Sequence, residues 1–472
     1  MSIKTLGKQS LIYGTGHILT RLVTFLLLPV YTHIFTTEQY GTLSLAYAFI
    51  GFSMVFYRYG MDTALMKYSV QKNGESRKKH ITVIILSQLI TGLSISLLLY
   101  VFREPLAPII LGSTDTNWLS YIAIILFFDS IWNLPMLLLR SEQRPIIYVS
   151  LSLLNVFVTM GLNIYFVIYL MKGVQGVFEA NIVASGLIFL ITLPIIYNRI
   201  DLQSFDKKIF KDVLLFALPF LPAGLFTMVM ELSDRYLLEW LADTSAVGLY
   251  SAGKKLGMLG LVIIMGFNMG WTPYFLKRIK EKDARSDFSK ITSIFLGILG
   301  FLILIVIMWI PSIMRFSIAG KSLIGSEFWS CEPIVSAILI GYFFFGVYVL
   351  QLPGIYKKEK TKWVPIFRVV GATIMLVAGY VLIPILNEIG AAYAVILAFI
   401  GMSITIFLVN NKSYKISYNW RAVFFPILFF LISIQYSFSP EERLGVIMLY
   451  PLIWYSLIIN NEERMALKSL IQ

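Results

Sequence analysis

The sequence predicts an all-α polytopic membrane protein of about fourteen transmembrane helices. They are expected to form two pseudo-symmetric six-helix bundles, with two further helices at the C-terminal end. Three observations carry this: composition, the alternation of basic loops, and a weak internal repeat. The chain has 472 residues, of which 58% are hydrophobic and only 14% charged, and its mean hydropathy is +0.78. Soluble domains run at roughly 45–50% apolar and about 25% charged. Many apolar runs reach the roughly 20 residues of helix that span a hydrocarbon core of about 30 Å.

The spans are predicted at 10–35, 40–66, 81–102, 118–139, 146–170, 174–197, 212–238, 245–275, 289–311, 332–356, 363–386, 390–410, 421–438 and 444–460. Cytoplasmic loops carry an excess of Lys and Arg, which tests the count independently. With the N-terminus placed inside, the inner segments hold 28 basic residues and the outer ones 5, namely Arg103, Lys172, Arg315, Lys321 and Arg443. Shifting the count by one helix destroys the alternation. Both termini are therefore expected in the cytoplasm.

The net charge of +13 follows from those inner loops, and no polar segment interleaves Arg or Lys with aromatics as a nucleic-acid surface would. Cys331 is the single cysteine, so no intrachain disulfide or thiolate cluster exists. His17, His33 and His80 lack metal-ligand spacing, and no cleavable signal peptide is evident. The loops are short, with no nucleophile–base arrangement, no phosphate-cradling glycine loop and no H-x-E or C-x-x-C pattern. The chain is expected to be no enzyme: it moves something without transforming it.

An offset of 207 residues lays "FTTEQYGTLSLA" (35–46) on "ADTSAVGLYSAG" (242–253), and an offset of 214 lays "GVFEA" (176–180) on "GAAYA" (390–394). Six spans per repeat leave both copies with the same orientation, a parallel repeat. The expected organisation is an N-terminal six-helix lobe (1–198), a cytoplasmic amphipathic linker (199–211), a C-terminal six-helix lobe (212–410) and two additional helices (411–472). Leu202, Phe205 and Ile209 share one face of the linker.

Among the charged residues inside predicted spans are Arg21, Arg58, Arg235, Lys254, Lys255, Arg368, Asp62, Asp129, Glu231 and Asp234. Each costs about 2.5–3.5 kcal/mol at a bilayer centre. Facing lipid together, they would exceed the roughly 5–15 kcal/mol that stabilises an ordinary domain. Most must face protein, water or headgroups.

Arg21 lies one turn from His17 with no acid at i±3 or i±4. Arg58 and Asp62 are four apart, as are Glu231 and Arg235, so each pair is either a neutralised intrahelical pair or part of a site. Lys254 and Lys255 have no acid within one turn. Asp129 is a lone carboxylate, either an interhelical lock or a coupling-ion site. Arg368 near the inner mouth fits snorkelling.

A surplus of cations along a central path implies an anionic ligand, and guanidinium groups match phosphate oxygens in bidentate geometry. Arg21, Arg58, Lys254, Lys255 and Arg235 are the candidate ligand-binding residues. Asp62, Asp129, Glu231, Asp234 and His17 are candidates for coupling or gating. No metal and no cofactor is expected, apart from coupling to protons or sodium.

"LGKQSLIYGTGHILTRLVTFLLLPVYTHIFTTEQYGTLSLAYAF" (6–49), an amphipathic lead with Arg21, and "YGMDTALMKY" (59–68) resemble the polysaccharide transporter family. These are the O-antigen and repeat-unit flippases of bacterial inner membranes. The matching pieces are Pro29 before a threonine-rich turn, Tyr40-Gly41, and Gly60 and Ala64 before Lys67; "GAAYA" fits the same family. The resemblance covers the first twelve spans and implies membership of the multidrug/oligosaccharidyl-lipid/polysaccharide exporter superfamily. It further implies two six-helix lobes around a central cavity, alternating access, and transfer of undecaprenyl-diphosphate-linked oligosaccharides to the periplasmic leaflet. Membrane lipids, a glycan polymerase and chain-length proteins would be its partners. Many members have twelve helices; fourteen resembles the lipid II flippase branch. A multidrug cation antiporter of the same superfamily, an integral-membrane glycan polymerase or acyltransferase, and a general sugar or peptide transporter remain the alternatives.

Overall fold

The structure, a computed structural model, describes residues 19, 25–201, 205–318, 320–357, 363–436 and 438–471. Among them, ten helices are long and apolar enough to cross a membrane. One of these, Trp363–Lys412, is two helices joined where Asn387 takes φ 48° and ψ −131°. The shorter Trp420–Gln435, and Pro440–Ile453 running into a π turn at Trp454–Ile458, complete the predicted spans after the first. Most of the first predicted span, 10–35, lies outside the described residues; within it Leu27–Ile34 is helical. The chain is an all-α, multi-pass membrane protein.

The elements that matter below are α1 (Leu27–Ile34), α2 (Thr37–Arg58), α3 (Met61–Gln71), α4 (Gly74–Val101), α5 (Arg103–Leu111), α6 (Thr116–Ser141), α7 (Pro145–Asn163), α8 (Gly173–Tyr197), α9 (Lys207–Ala217) and α10 (Phe220–Leu241). They continue with α11 (Thr244–Gly257), α12 (Leu259–Arg278), α13 (Ala284–Arg315), α14 (Glu332–Leu350), α15 (Leu352–Lys357), α16 (Trp363–Ser413), α17 (Trp420–Gln435), α18 (Pro440–Ile453) and α19 (Asn461–Ile471). A two-residue hairpin, Ser317–Ile318 with Lys321–Ser322, and a 3-10 turn at Ser326–Cys331 lie between α13 and α14.

By its contacts the chain divides into Met1–Glu239 and Trp240–Gln472. The division falls later than the 199–211 segment because α9 packs back onto α3 and α4. Asp206 caps α9, accepting from the backbone N–H groups of Lys208 and Ile209. Its apolar face then buries Val213 and Ala217 against Met61, Leu65, Ile81 and Ile84. The predicted span 212–238 is accordingly two helices, α9 and α10.

The repeat is visible in register. Thr36 caps α2, accepting from the Gln39 N–H, and Asp243, 207 residues on, caps α11, accepting from the Ala246 N–H. In the C-terminal unit, α17 and α18 pack on α13 where Gly297 and Gly300 leave room. A side chain at Gly297 would collide with the Trp454 indole, and one at Gly300 would press on Pro426. The Tyr450 hydroxyl donates to the Gly297 carbonyl at 3.0 Å.

Candidate functional site

One cluster of charge in the N-terminal unit is assembled by a break in the second span. The sequence predicts one helix over 40–66, with Arg58 and Asp62 on a common face. Instead α2 ends at Arg58, Tyr59 and Gly60 take φ 30° and φ 83°, and α3 restarts at Met61. Glycine is required at the second of these positions, because a Cβ on Gly60 would collide with the backbone carbonyl of Ala217.

The break puts each charge at a favourable helix end. Arg58 sits in the last turn of α2, where the macrodipole is negative. Asp62 sits in the first turn of α3, where it is positive and where its Oδ1 accepts from the Thr63 N–H at 2.8 Å. Arg58 makes no ion pair within 4 Å among the described residues, and its Nε is buried without a described hydrogen-bond acceptor. The groups with electrostatic reach to it are Asp62, Asp129 and Tyr148.

Asp129 is held from two sides. Its Oδ1 accepts from Trp132 Nε1 at 2.8 Å within α6, and from Ser185 Oγ at 2.6 Å across to α8. One turn before Ser185, Asn181 Nδ2 donates to the Tyr47 hydroxyl on α2 at 3.0 Å and to the Val177 carbonyl at 2.7 Å. Helices α2, α3, α6 and α8 thus supply a half-buried group of one guanidinium and two carboxylates, with the hydrogen bonds running between α2, α6 and α8. Ser185, Asn181, Tyr47 and Trp132 escaped sequence reasoning. Only the spacing of Asn181 and Ser185, polar residues one turn apart in an apolar span, could have flagged them.

The remaining predicted residues are distributed as follows. Arg235 Nη1 reaches Asp234 Oδ1 at 3.4 Å and the backbone carbonyl of Glu231 at 3.4 Å, with Asp234 buried and Glu231 exposed. Lys254 and Lys255 occupy the last turn of α11 in the C-terminal unit, both half-buried, with Lys254 Nζ 5.5 Å from the Tyr250 ring centre. Arg21 and His17 lie outside the described residues. The structure brings Arg58, Asp62 and Asp129 together, and separately Arg235 with Asp234.

A further charged centre was not anticipated. Glu142, between α6 and α7, accepts from Arg199 Nε at 2.7 Å and Nη2 at 2.5 Å, and from Arg77 Nη2 at 2.9 Å; Arg144 lies 3.7 Å away. Arg77 also donates to the Ser69 carbonyl and Arg199 to that of Ile195. The ends of α3, α4, α6 and α8 are thereby tied to one carboxylate. The Arg199 guanidinium above all, and then that of Arg77, hold the Glu142 carboxyl down at about 2.

Residues 6–279 match the family model described as polysaccharide biosynthesis protein. The chain belongs to that family. This member of the polysaccharide biosynthesis protein family is 23% identical to Lsg locus protein 1 of Haemophilus influenzae over 359 residues, 72% of this chain and 84% of that protein. Among solved structures it is similar to the lipid II flippase MurJ in an inward closed conformation, with a TM-score of 0.75 at 16% identity over 98% of this chain and 100% of that one. An inward-facing MATE family transporter of the MOP superfamily aligns at TM-score 0.59 and 15% identity, over 87% of this chain and 94% of its own. A MOP superfamily transporter from Pyrococcus furiosus aligns at TM-score 0.56 and 16% identity, over 87% and 94%. At these identities the likeness is one of fold, the all-α membrane fold that those proteins share.

Proposed function

We propose that the chain is a flippase carrying undecaprenyl-diphosphate-linked oligosaccharide repeat units from the cytoplasmic to the periplasmic leaflet of a bacterial inner membrane. It would work by alternating access between two six-helix lobes, as a step of O-antigen, capsule or exopolysaccharide synthesis. The observation that supports this best is Arg58, a guanidinium within an apolar span whose Nε has no described acceptor. An incoming diphosphate would supply oxygens to that fork without requiring it to leave an existing ion pair. Arg21, Lys254, Lys255 and Arg235 are proposed as the other cations along the path, with the prenyl tail left in the bilayer. Asp62, Asp129, Glu231, Asp234 and His17 are proposed for coupling to protons or sodium, or for gating. Both termini would lie in the cytoplasm, and the glycan polymerase and chain-length proteins would act on what the flippase delivers. The protein would perform no covalent step and need no cofactor.

The test is surface glycan display in cells carrying Arg21→Ala or Arg58→Ala, with membrane levels of the protein measured alongside. Loss of display at normal protein level is expected for both. Normal display in both variants removes the assigned roles. Protection against cationic dyes, if it appeared with the wild-type chain, would favour a multidrug antiporter instead.

A further inference from the structure

Cytoplasmic loops hold most Lys and Arg of a polytopic chain, so a basic residue on the opposite side is an exception. Two of the five exceptions here, Arg315 and Arg443, come from different loops yet line one cavity of about 510 Å³ in the C-terminal unit. That size lies within the roughly 300–1,000 Å³ of small-molecule sites. A third, Lys321, lies on the hairpin that follows Arg315.

The local sequence builds this cavity. Arg315 is the last residue of α13, where a cation suits the helix dipole. Ser439 caps α18 in a capping box with Glu442, which fixes Arg443 in the first turn. Trp329, on the 3-10 turn, donates its indole N–H to the Ile324 carbonyl at 2.9 Å and stands 5.2 Å from the Arg315 guanidinium. Tyr436 and Phe438, with ring centres 6.3 Å apart, line the cavity beyond the end of α17.

The charges do not cancel. Among the described residues Glu332 is the single carboxylate lining the cavity, and its Oε2 takes Arg315 Nη2 at 3.3 Å. Arg443 spends Nε on the Phe438 carbonyl at 3.0 Å and Nη1 on Ser312 Oγ at 3.1 Å, which leaves Nη2 without a described acceptor. Two guanidinium groups against one carboxylate favour an anion. Aromatic rings beside them favour a ligand with a flat apolar face, as the C–H face of a pyranose presents. A carboxylate on a sugar ring joins both features at the right size.

We propose that the cavity walled by Arg315, Trp329, Glu332, Tyr436, Phe438 and Arg443 is a binding site for an acidic sugar, on the side opposite the basic loops. The inference rests on the glycan reading above only for the class of ligand. Neither guanidinium belongs to the path proposed for the diphosphate.

The experiment uses the purified full-length chain in phosphatidylcholine nanodiscs. Methyl β-glucuronide, methyl β-glucoside and glycerol 3-phosphate are titrated separately, with saturation-transfer NMR and thermal unfolding as readouts. The glucuronide is expected to bind with a millimolar Kd, at least tenfold tighter than the glucoside. Arg315→Lys and Arg443→Lys, which keep the charge but lose the planar fork, should each weaken it about tenfold. Equal binding of both glycosides, absence of saturable binding, or indifference to both arginine variants overturns the proposal. Tighter binding of glycerol 3-phosphate, lost in the same variants, assigns the cavity to a lipid headgroup and overturns it as well. Because the readout is binding of a soluble sugar, its failure leaves the Arg58→Ala display result standing, and the reverse holds too.

Discussion

Gly60 stands against the backbone carbonyl of Ala217 so closely that a Cβ there would collide with it, and its own φ of 83° is one that L side chains rarely adopt. This contact turns the second span into two helices and seats α9 beside the break. Arg58 and Asp62 are thereby placed at two helix ends and not on one helical face.

Substitution of Gly60 tests the arrangement. Gly60→Ala should cost about 2 kcal/mol or more, since the left-handed conformation alone costs roughly 1–2 kcal/mol for a residue with a Cβ and the carbonyl must also move. Gly266→Ala is the control, because a Cβ there meets nothing within 4 Å; helix propensity predicts a melting temperature unchanged or slightly raised. Thermal unfolding in detergent measures both. Equal melting of the two variants would show that the Gly60 contact does not hold the break.

Glu142 predicts a pH dependence with a definite sign. Its folded-state value is depressed from the model-peptide 4.5 to about 2, so the carboxylate contributes stability above about pH 4.5 that is lost as pH falls through about 2. The group is partly solvated, and after screening the contribution is on the order of 2 kcal/mol. Glu142→Gln should therefore melt below wild type at pH 7, and the gap should close as the pH falls from about 4.5 towards 2. A gap that stays constant with pH would mean that the four helix ends do not depend on this charge.

Asp129 separates the coupling role from the structural one. Asp129→Asn keeps an oxygen for Trp132 and Ser185 and removes only the charge, so the melting temperature should stay within a few degrees of wild type. Asp129→Ala loses both hydrogen bonds and should cost about 2 kcal/mol. If Asp129 takes part in coupling, the Asn variant loses surface glycan display while remaining folded, and that is the expected result. Wild-type display by the Asn variant would leave Asp129 as a lock between α6 and α8.

Much of the fold was legible because the forces that set it act residue by residue. The transfer of each apolar side chain into hydrocarbon, and the exclusion of Lys and Arg from translocated loops, add along the chain and need no partner. The repeat was legible for a related reason: Thr36 and Asp243 cap their helices through bonds to residues three positions away. The site was only half legible. Insertion cost marks Arg58, Asp62 and Asp129 as residues that must be accounted for, yet i,i+4 spacing misjudged the first two, because it assumes a continuous helix. Nothing near Gly60 in the chain announces Ala217.

The amino-acid sequence by itself determined that this chain crosses a membrane many times and that a few costly charges remain within the spans. The tertiary structure alone decided what those charges meet. Ser185 reaches Asp129 from 56 residues away, and Arg199 reaches Glu142 from 57. A span's position along the membrane normal follows from its own hydropathy, but its rotation about its axis is set by how its neighbours pack, and that rotation chooses the partner.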